Sequence, residues 1–447
     1  MMRRLAVLAL LVLAPRLLQA QLERCFFDNT PETRTYGNKL PSGQFNTFYG
    51  AGINVRCPSK KLTIRADSLE FYGDIRRLYL VGHVVYNEPR FRLSAELLNY
   101  YVPDERIVAN NNVVATLPSG STMKGQQLEY LRIIPNVRPR TRITATARPT
   151  INAIEKDKSG KQLSTSTITG NTLVMDNEEL VYGSGDVQLD REDVFARADS
   201  AFIDNTKEYV ELMQKPRIEG KKGRPFTLSG KRIHLFSKAK KLQRVLSMES
   251  AEAHSKDLAM RADTIDLRLK DEQMDRAVAW GPSGAHADAK SQNIAADSID
   301  VLMPGQKVRE VHALRHAIAE SQPDSSKFVT VEKDWLRGDT LIAKFDTAAT
   351  KDTAQGPTIR QIVANGTAGS YQHMPPTDTI THRPAINYVT GRLITVDFSG
   401  RQLRTVHVLD QKNGLYLEPV ADTTEKASAA RKAPDAKRPP AKPPQRP

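Results

Sequence analysis

The sequence predicts an all-β protein built from repeated strand units, and three observations carry this. Apolar and polar residues alternate strictly in many short runs. In Ala262-Asp263-Thr264-Ile265-Asp266-Leu267-Arg268-Leu269, Ile265, Leu267 and Leu269 share one face, and Asp266 and Arg268 the other. An Ala-Asp-Ser/Thr start then recurs, in RADSLEF from Arg65, ARADSAFI from Ala196, MRADTIDL from Met260 and IAADSIDV from Ile294. Finally, the chain has 447 residues but only 39% hydrophobic and 6% aromatic ones. A repeat array tolerates that composition because its core grows along one axis.

Residues 1–20 read as an export signal. Arg3 and Arg4 form the basic region, Leu5 to Ala14 the apolar one, and Leu18-Gln19-Ala20 a cleavage site. Pro15 and Arg16 interrupt the apolar run early, which favours cleavage over a retained anchor. Residues 21–59 form an extended N-terminal segment. The two cysteines of the chain, Cys25 and Cys57, both lie in it. An even count in an exported chain suggests one disulfide, two free thiols being the alternative.

Residues 60–327 and 328–420 carry the repeats. Related starts fall at Ala66, Ala95, Gly125, Gly170, Ala198, Gly230, Ala262, Ala296, Gly338 and Gly391, about 28 to 34 residues apart where the pattern is cleanest. A polar turn follows each first strand, such as Asn205-Thr206-Lys207. A second alternating run comes next, often with glycine near valine, as in Val81-Gly82-His83-Val84 and Gly183-Ser184-Gly185-Asp186-Val187. Glycine there marks a bend or bulge. From Ala421 to Pro447 the chain is Ala, Lys and Pro with almost no large apolar residue, a composition expected to be disordered.

The net charge is +14. Arg3, Arg4 and Arg16 belong to the leader and the tail holds a net of about four, leaving roughly +7 on the body. Mean hydropathy is −0.47. A basic exported protein suits an anionic membrane surface or glycolipid. Nucleic acid is not expected, since aromatics are not interleaved with the basic residues.

The motifs argue against catalysis. Asp67, Asp199, Asp263, Asp297 and Asp339 each stand beside a hydroxyl residue, at one register in unit after unit. A catalytic group is needed once and a structural group once per rung, so these aspartates read as shaping the backbone. His312 and His316, four apart, would lie about 13 Å from each other on a strand, too far to share one metal ion. No nucleophile elbow or phosphate loop is present. Trp280 and Trp335 could stack on sugar, but read better as packed aromatics.

What remains is an apolar stripe. The third and fifth residues after each start are apolar: Leu69 and Phe71, Leu98 and Tyr100, Leu128 and Tyr130, Leu173 and Met175, Ile233 and Leu235, Ile265 and Leu267, Ile299 and Val301. They either fill a dry core or line a groove suited to acyl chains, each buried CH₂ contributing about 0.8 kcal/mol.

An export leader, Ala-Asp-Ser/Thr-apolar-x-apolar, a polar turn and Gly-x-Val in a repeated all-β unit resemble the OstA-like family. That family comprises periplasmic lipopolysaccharide-transport proteins and the N-terminal domain of the outer-membrane lipopolysaccharide-assembly protein. The likeness is best at 64–85, at 181–187 and at 198–203, and covers most of residues 60–419. It implies an elongated, repeat-built, twisted β-jelly-roll, a folded half-open sheet whose interior holds acyl chains. Such domains join through edge strands into a bridge toward the outer membrane. This chain departs in being much longer than the single-domain bridge protein and in its basic Pro-rich tail.

The expectation is therefore a non-enzymatic periplasmic protein without cofactor or metal. It would carry lipopolysaccharide or a similar glycolipid and join other transport proteins through edge strands. The alternatives are a structural or adhesive cell-envelope β-solenoid with a dry core, and a cell-envelope enzyme or sugar-binding protein, which would need a unique polar cluster.

Overall fold

Strand-forming alternation gives strands throughout. The computed structural model describes residues 25–420 apart from 30, 157–158, 224, 257, 290–291, 324–329, 347–357, 377–382 and 400–401. The expected leader and tail lie outside the described residues. Within these the chain is all β. Thirty strands are accompanied only by two single-turn 3-10 helices, Pro58–Lys60 and Pro304–Gln306. Two compact units divide between Pro118 and Ser119. The strand series continues across residue 327, where Glu310–Ser321 pairs antiparallel with Asp334–Phe345.

The architecture follows from how each long strand is used. The strand Leu180–Arg191 is typical. Its first half, Leu180 to Ser184, pairs with Thr172–Asp176, and its second half pairs with Gln162–Thr169. Between the halves the register breaks, with Gly185 at φ 73° and Asp186 at φ 47°. One strand thereby enters two sheets. The next strand, Val194–Asp204, repeats this. Its halves pair with Arg217–Gly220 and Tyr209–Met213, which are separated by Gln214 and Lys215 at φ 62° and 58°.

The same corner recurs. Consecutive left-handed residues occur at Ala51-Gly52, Gly82-His83 and Asn111-Asn112 in the first unit. In the second they occur at Ala147-Arg148, Gly185-Asp186, Gln214-Lys215, Glu249-Ser250 and Arg315-His316. Each unit is thus a sheet folded along a line of corners into two facing halves. In the first unit the facing is direct. Tyr86 of one half meets Tyr100 of the other at 6.4 Å between ring centroids, and Phe27 stacks on Tyr49 at 5.3 Å.

The recurring aspartate belongs to this corner. Asp67 donates its backbone N–H to the Gly82 carbonyl at 3.0 Å, Asn171 donates to Gly185 at 2.8 Å, and Asp199 to Gln214 at 3.2 Å. Side chains add to the joint. Asp67 binds His83 Nδ1 at 2.8 Å, Asp297 binds His316 Nδ1 at 3.0 Å, and Asp263 accepts from the Ser283 N–H at 2.8 Å. Where the start lacks aspartate another polar pair takes the place: Glu96 with Asn112, Lys231 with Glu249, Arg392 with Asp410. A left-handed non-glycine residue costs about 1–2 kcal/mol, and these bonds offset it.

Cys25 and Cys57 form a disulfide across 32 residues of sequence. It fixes the first strand, Phe26–Asn29, to its partner Ile53–Cys57. Closing a loop of that length is worth about 3–4 kcal/mol through the unfolded state.

Glycine is required at Gly82 for two reasons. Its φ is 77°, and a Cβ there would stand 2.2 Å from Asp67 Oδ2. Gly82→Ala is expected to destabilise the first unit by about 1–3 kcal/mol, read as a lowered urea midpoint. The Asp67 hydrogen bond holds His83 above its ordinary pKa of 6.5. The stabilisation from this exposed pair is therefore complete below that value and fades as pH rises through the raised one. An NMR titration should show His83 above 6.5, and Asp67→Asn should return it to the ordinary range.

Candidate functional site

The interior of each folded sheet is built from alternate residues. Thirteen of the fourteen stripe residues are buried. Leu98, Leu173, Ile233, Ile265, Ile299 and Val301 are each 0–1% exposed, and only Phe71 is half-buried, its ring 6.3 Å from Phe27. In the first unit Leu69 lies opposite Leu80, which lies opposite Leu98.

In the second unit the register aligns the stripe across successive strands. Leu128 lies opposite Ala145 and Ala145 opposite Leu173. Leu173 faces Gly183, which faces Ala201. Further along, Ile265 lies opposite Ala279, Ala279 opposite Ile299, Ile299 opposite Ala313, and Ala313 opposite Leu341. Large and small side chains alternate over much of the row, so ridges of Leu and Ile are separated by troughs at Ala and Gly; the exceptions are the small pair Gly183 and Ala201 and the large pair Leu212 and Ile233. Ser247 interrupts the row, and its hydroxyl is satisfied by the Ser229 carbonyl at 2.8 Å.

Sequence reasoning found the ridges and missed the troughs: Ala145, Ala279 and Ala313 lie on the returning strands, away from the start motif, and Ala201, third after the Ala198 start, is too small to mark a ridge. It also missed the second sheet's own inward row, in which Ile151 lies opposite Ile168 and Ile168 opposite Leu189. The start motif leaves that half unmarked, although its period-two pattern is present.

Asp266 is a further difference. It faces away from Ile265 as the alternation requires, yet its side chain is only 3% exposed. Arg244 lies over it at 2.7 Å and Arg268 at 3.3 Å. Arg276 and Asp300 pair alongside. Long arginine stems cover the outer face here, so pointing outward does not mean being exposed.

The two halves also meet at the strand tips, opposite the corners. In the first unit Lys60 Nζ lies 2.5 Å from Glu105 Oε1. In the second, Ser119 Oγ donates to Glu178 at 2.6 Å, and Arg191 donates to the Lys240 carbonyl at 2.8 Å. Lys222 Nζ lies 3.0 Å from Glu272, and Glu192 draws on the same ammonium at 3.1 Å. Apart from Lys222 with Glu192, which links two turns of the same sheet, each contact joins a turn of one sheet to a turn of the other.

Other singled-out residues do not assemble a reactive centre. His312 pairs with Glu310 and His316 with Asp297. Among the described residues no three His, Cys, Asp or Glu side chains converge on a metal position. Trp280 is 37% exposed on the outer face. Trp335 is not isolated: it stacks on Tyr371 at 5.9 Å, meets Tyr388 at 6.1 Å, and lies under Arg337 at 4.9 Å. Asn365-Gly366-Thr367, a glycosylation sequon, sits at a corner, where a Cβ on Gly366 would fall 2.1 Å from Asp339.

No protein-family profile matches the chain, and no curated protein matches it.

The stripe's contribution to stability separates from that of the outer face. Ile265→Ala is expected to cost about 2–4 kcal/mol, whereas Arg268→Ala should cost less than about 1 kcal/mol because Arg244 still covers Asp266. Urea unfolding followed by the fluorescence of Trp280, on the neighbouring strand, measures both.

Proposed function

We propose that the protein carries lipopolysaccharide or a related glycolipid across the periplasm toward the outer membrane, without enzymatic activity. The acyl chains would lie against the inward stripe and the phosphorylated sugars outside the strand tips. The observation that carries this reading is the inward row from Leu128 to Leu341, aliphatic or small at nearly every strand, with polar contacts bridging its mouth. Alternating ridges and troughs suit flexible hydrocarbon, which needs no directional bonds. The Cys25–Cys57 disulfide fits an oxidising compartment.

Open edges supply the joints. Phe26–Asn29 and Arg34–Lys39 are each bonded on one side among the described residues, as are Gln402–Leu409 and Asn413–Leu417. In this reading other transport proteins add strands there.

The near-complete burial of the stripe favours a second reading, a structural or adhesive envelope protein with a dry core. Photocrosslinking in cells that make lipopolysaccharide separates the two. One probe replaces Ile265 and a control replaces Arg268, whose side chain is 53% exposed. A lipopolysaccharide adduct at 265 and none at 268 is the expected result. A folded, exported protein without an adduct at 265 would leave the dry-core reading standing alone.

A further inference from the structure

The strand tips are where a half-open sheet would admit a lipid sideways, and here they are bridged. The bridges are chemically uniform. Every one is an ion pair or a hydrogen bond, and the cations Lys60, Arg191 and Lys222 supply three of them. Each cation also has an acidic neighbour: Glu105 for Lys60, Asp193 at 3.1 Å for Arg191, and Glu192 with Glu272 for Lys222.

Resting on the glycolipid reading above, we propose that these contacts form a latch. Its cations, Lys60, Arg191 and Lys222, would be the residues that bind headgroup phosphate when the mouth opens. The tips are the ends of the strands whose inner faces carry the stripe. A lipid whose acyl chains enter between the sheets therefore leaves its phosphates level with them. A phosphate offers more charge and more acceptor oxygens than the carboxylate it replaces. At Lys60 and Lys222 the cation keeps a partner throughout, and the bridging carboxylate is released to water, so that opening exchanges one anion for another. At Arg191, which keeps Asp193 of its own turn, the group released is the Lys240 carbonyl.

The exchange makes a distinctive prediction for Lys222 and Glu272. A purely structural salt bridge loses the same contact whichever partner is removed, so both variants would shift binding the same way. A latch whose cation is also the ligand contact gives opposite signs. With the full-length protein and purified lipopolysaccharide, Glu272→Gln should tighten binding and Lys222→Gln should weaken it, each by about three- to ten-fold. Thermal unfolding confirms that both variants are folded. As a second measurement independent of charge removal, the double variant Lys222→Cys with Glu272→Cys is joined by a short bis-maleimide. It should bind lipopolysaccharide at least about ten-fold more weakly than the same variant capped with a mono-maleimide. Cys25 and Cys57 are already paired and do not react.

Dephosphorylated lipopolysaccharide should bind the native protein and Lys222→Gln equally, which places the anion on the lipid. If inorganic phosphate alone binds with the same dependence on Lys222, the site serves free phosphate and the headgroup assignment is overturned. Shifts of one sign in the two single variants, or equal binding by the joined and capped forms, overturn the latch while leaving the glycolipid reading intact. No lipopolysaccharide binding by the native protein overturns that reading and the latch with it.

Discussion

The left-handed corner is the constraint on which the rest depends. A strand that ran straight through residues 180–191 would belong to one sheet and expose its apolar face. Two residues in the left-handed region turn it so that its halves join facing sheets. Non-glycine residues resist that conformation, so something local must hold it. The neighbouring strand does, with the backbone N–H of the residue after the start: Asp67 for Gly82, Asn171 for Gly185, Asp199 for Gln214. Side chains at the same position then engage the corner in turn, as Asp67 engages His83 and Asp297 engages His316. The recurring aspartate is a structural joint, repeated because the fold repeats.

This explains what could be read in the sequence. The start motif was visible because it supplies the joint, and the ridges of the stripe because they follow the motif at fixed offsets. The corners themselves were visible only where glycine marks them, as at Gly82 and Gly185. At Gln214-Lys215, Glu249-Ser250 and Arg315-His316 ordinary residues adopt the same conformation. Nothing in their composition announces it, because the holding bond comes from a neighbouring strand: from its backbone at Gln214 and Glu249, and from the Asp297 side chain at His316. The troughs were missed for a similar reason: an alanine signals little alone, and Ala279 acquires meaning only when the register sets it between Ile265 and Ile299. The burial of Asp266 needed Arg244, 22 residues away, to be placed above it.

The tips lay furthest from sequence reasoning. Lys60 and Glu105 are 45 residues apart, and Lys222 and Glu272 are 50 apart. No local pattern couples them. They meet because the corners fold the two halves toward each other.

Corner and tip divide the work of the fold between two kinds of interaction. At the corners, backbone hydrogen bonds and left-handed residues set an angle that cannot relax without breaking the ladder. At the tips, a few ion pairs and hydrogen bonds hold the opposite side, each worth on the order of 1 kcal/mol net. In the proposed reading, a sheet fixed along one line and lightly fastened along the other would act as a hinged cover. Separating the tips sacrifices few strong contacts, whereas separating the sheets at the corners would unfold them. Hydrocarbon entering between the halves would replace apolar contacts with apolar contacts, leaving the interior term nearly unchanged. The energetic difference between closed and filled states then falls on the polar groups of the rim, which is where selectivity for an anionic glycolipid would have to reside.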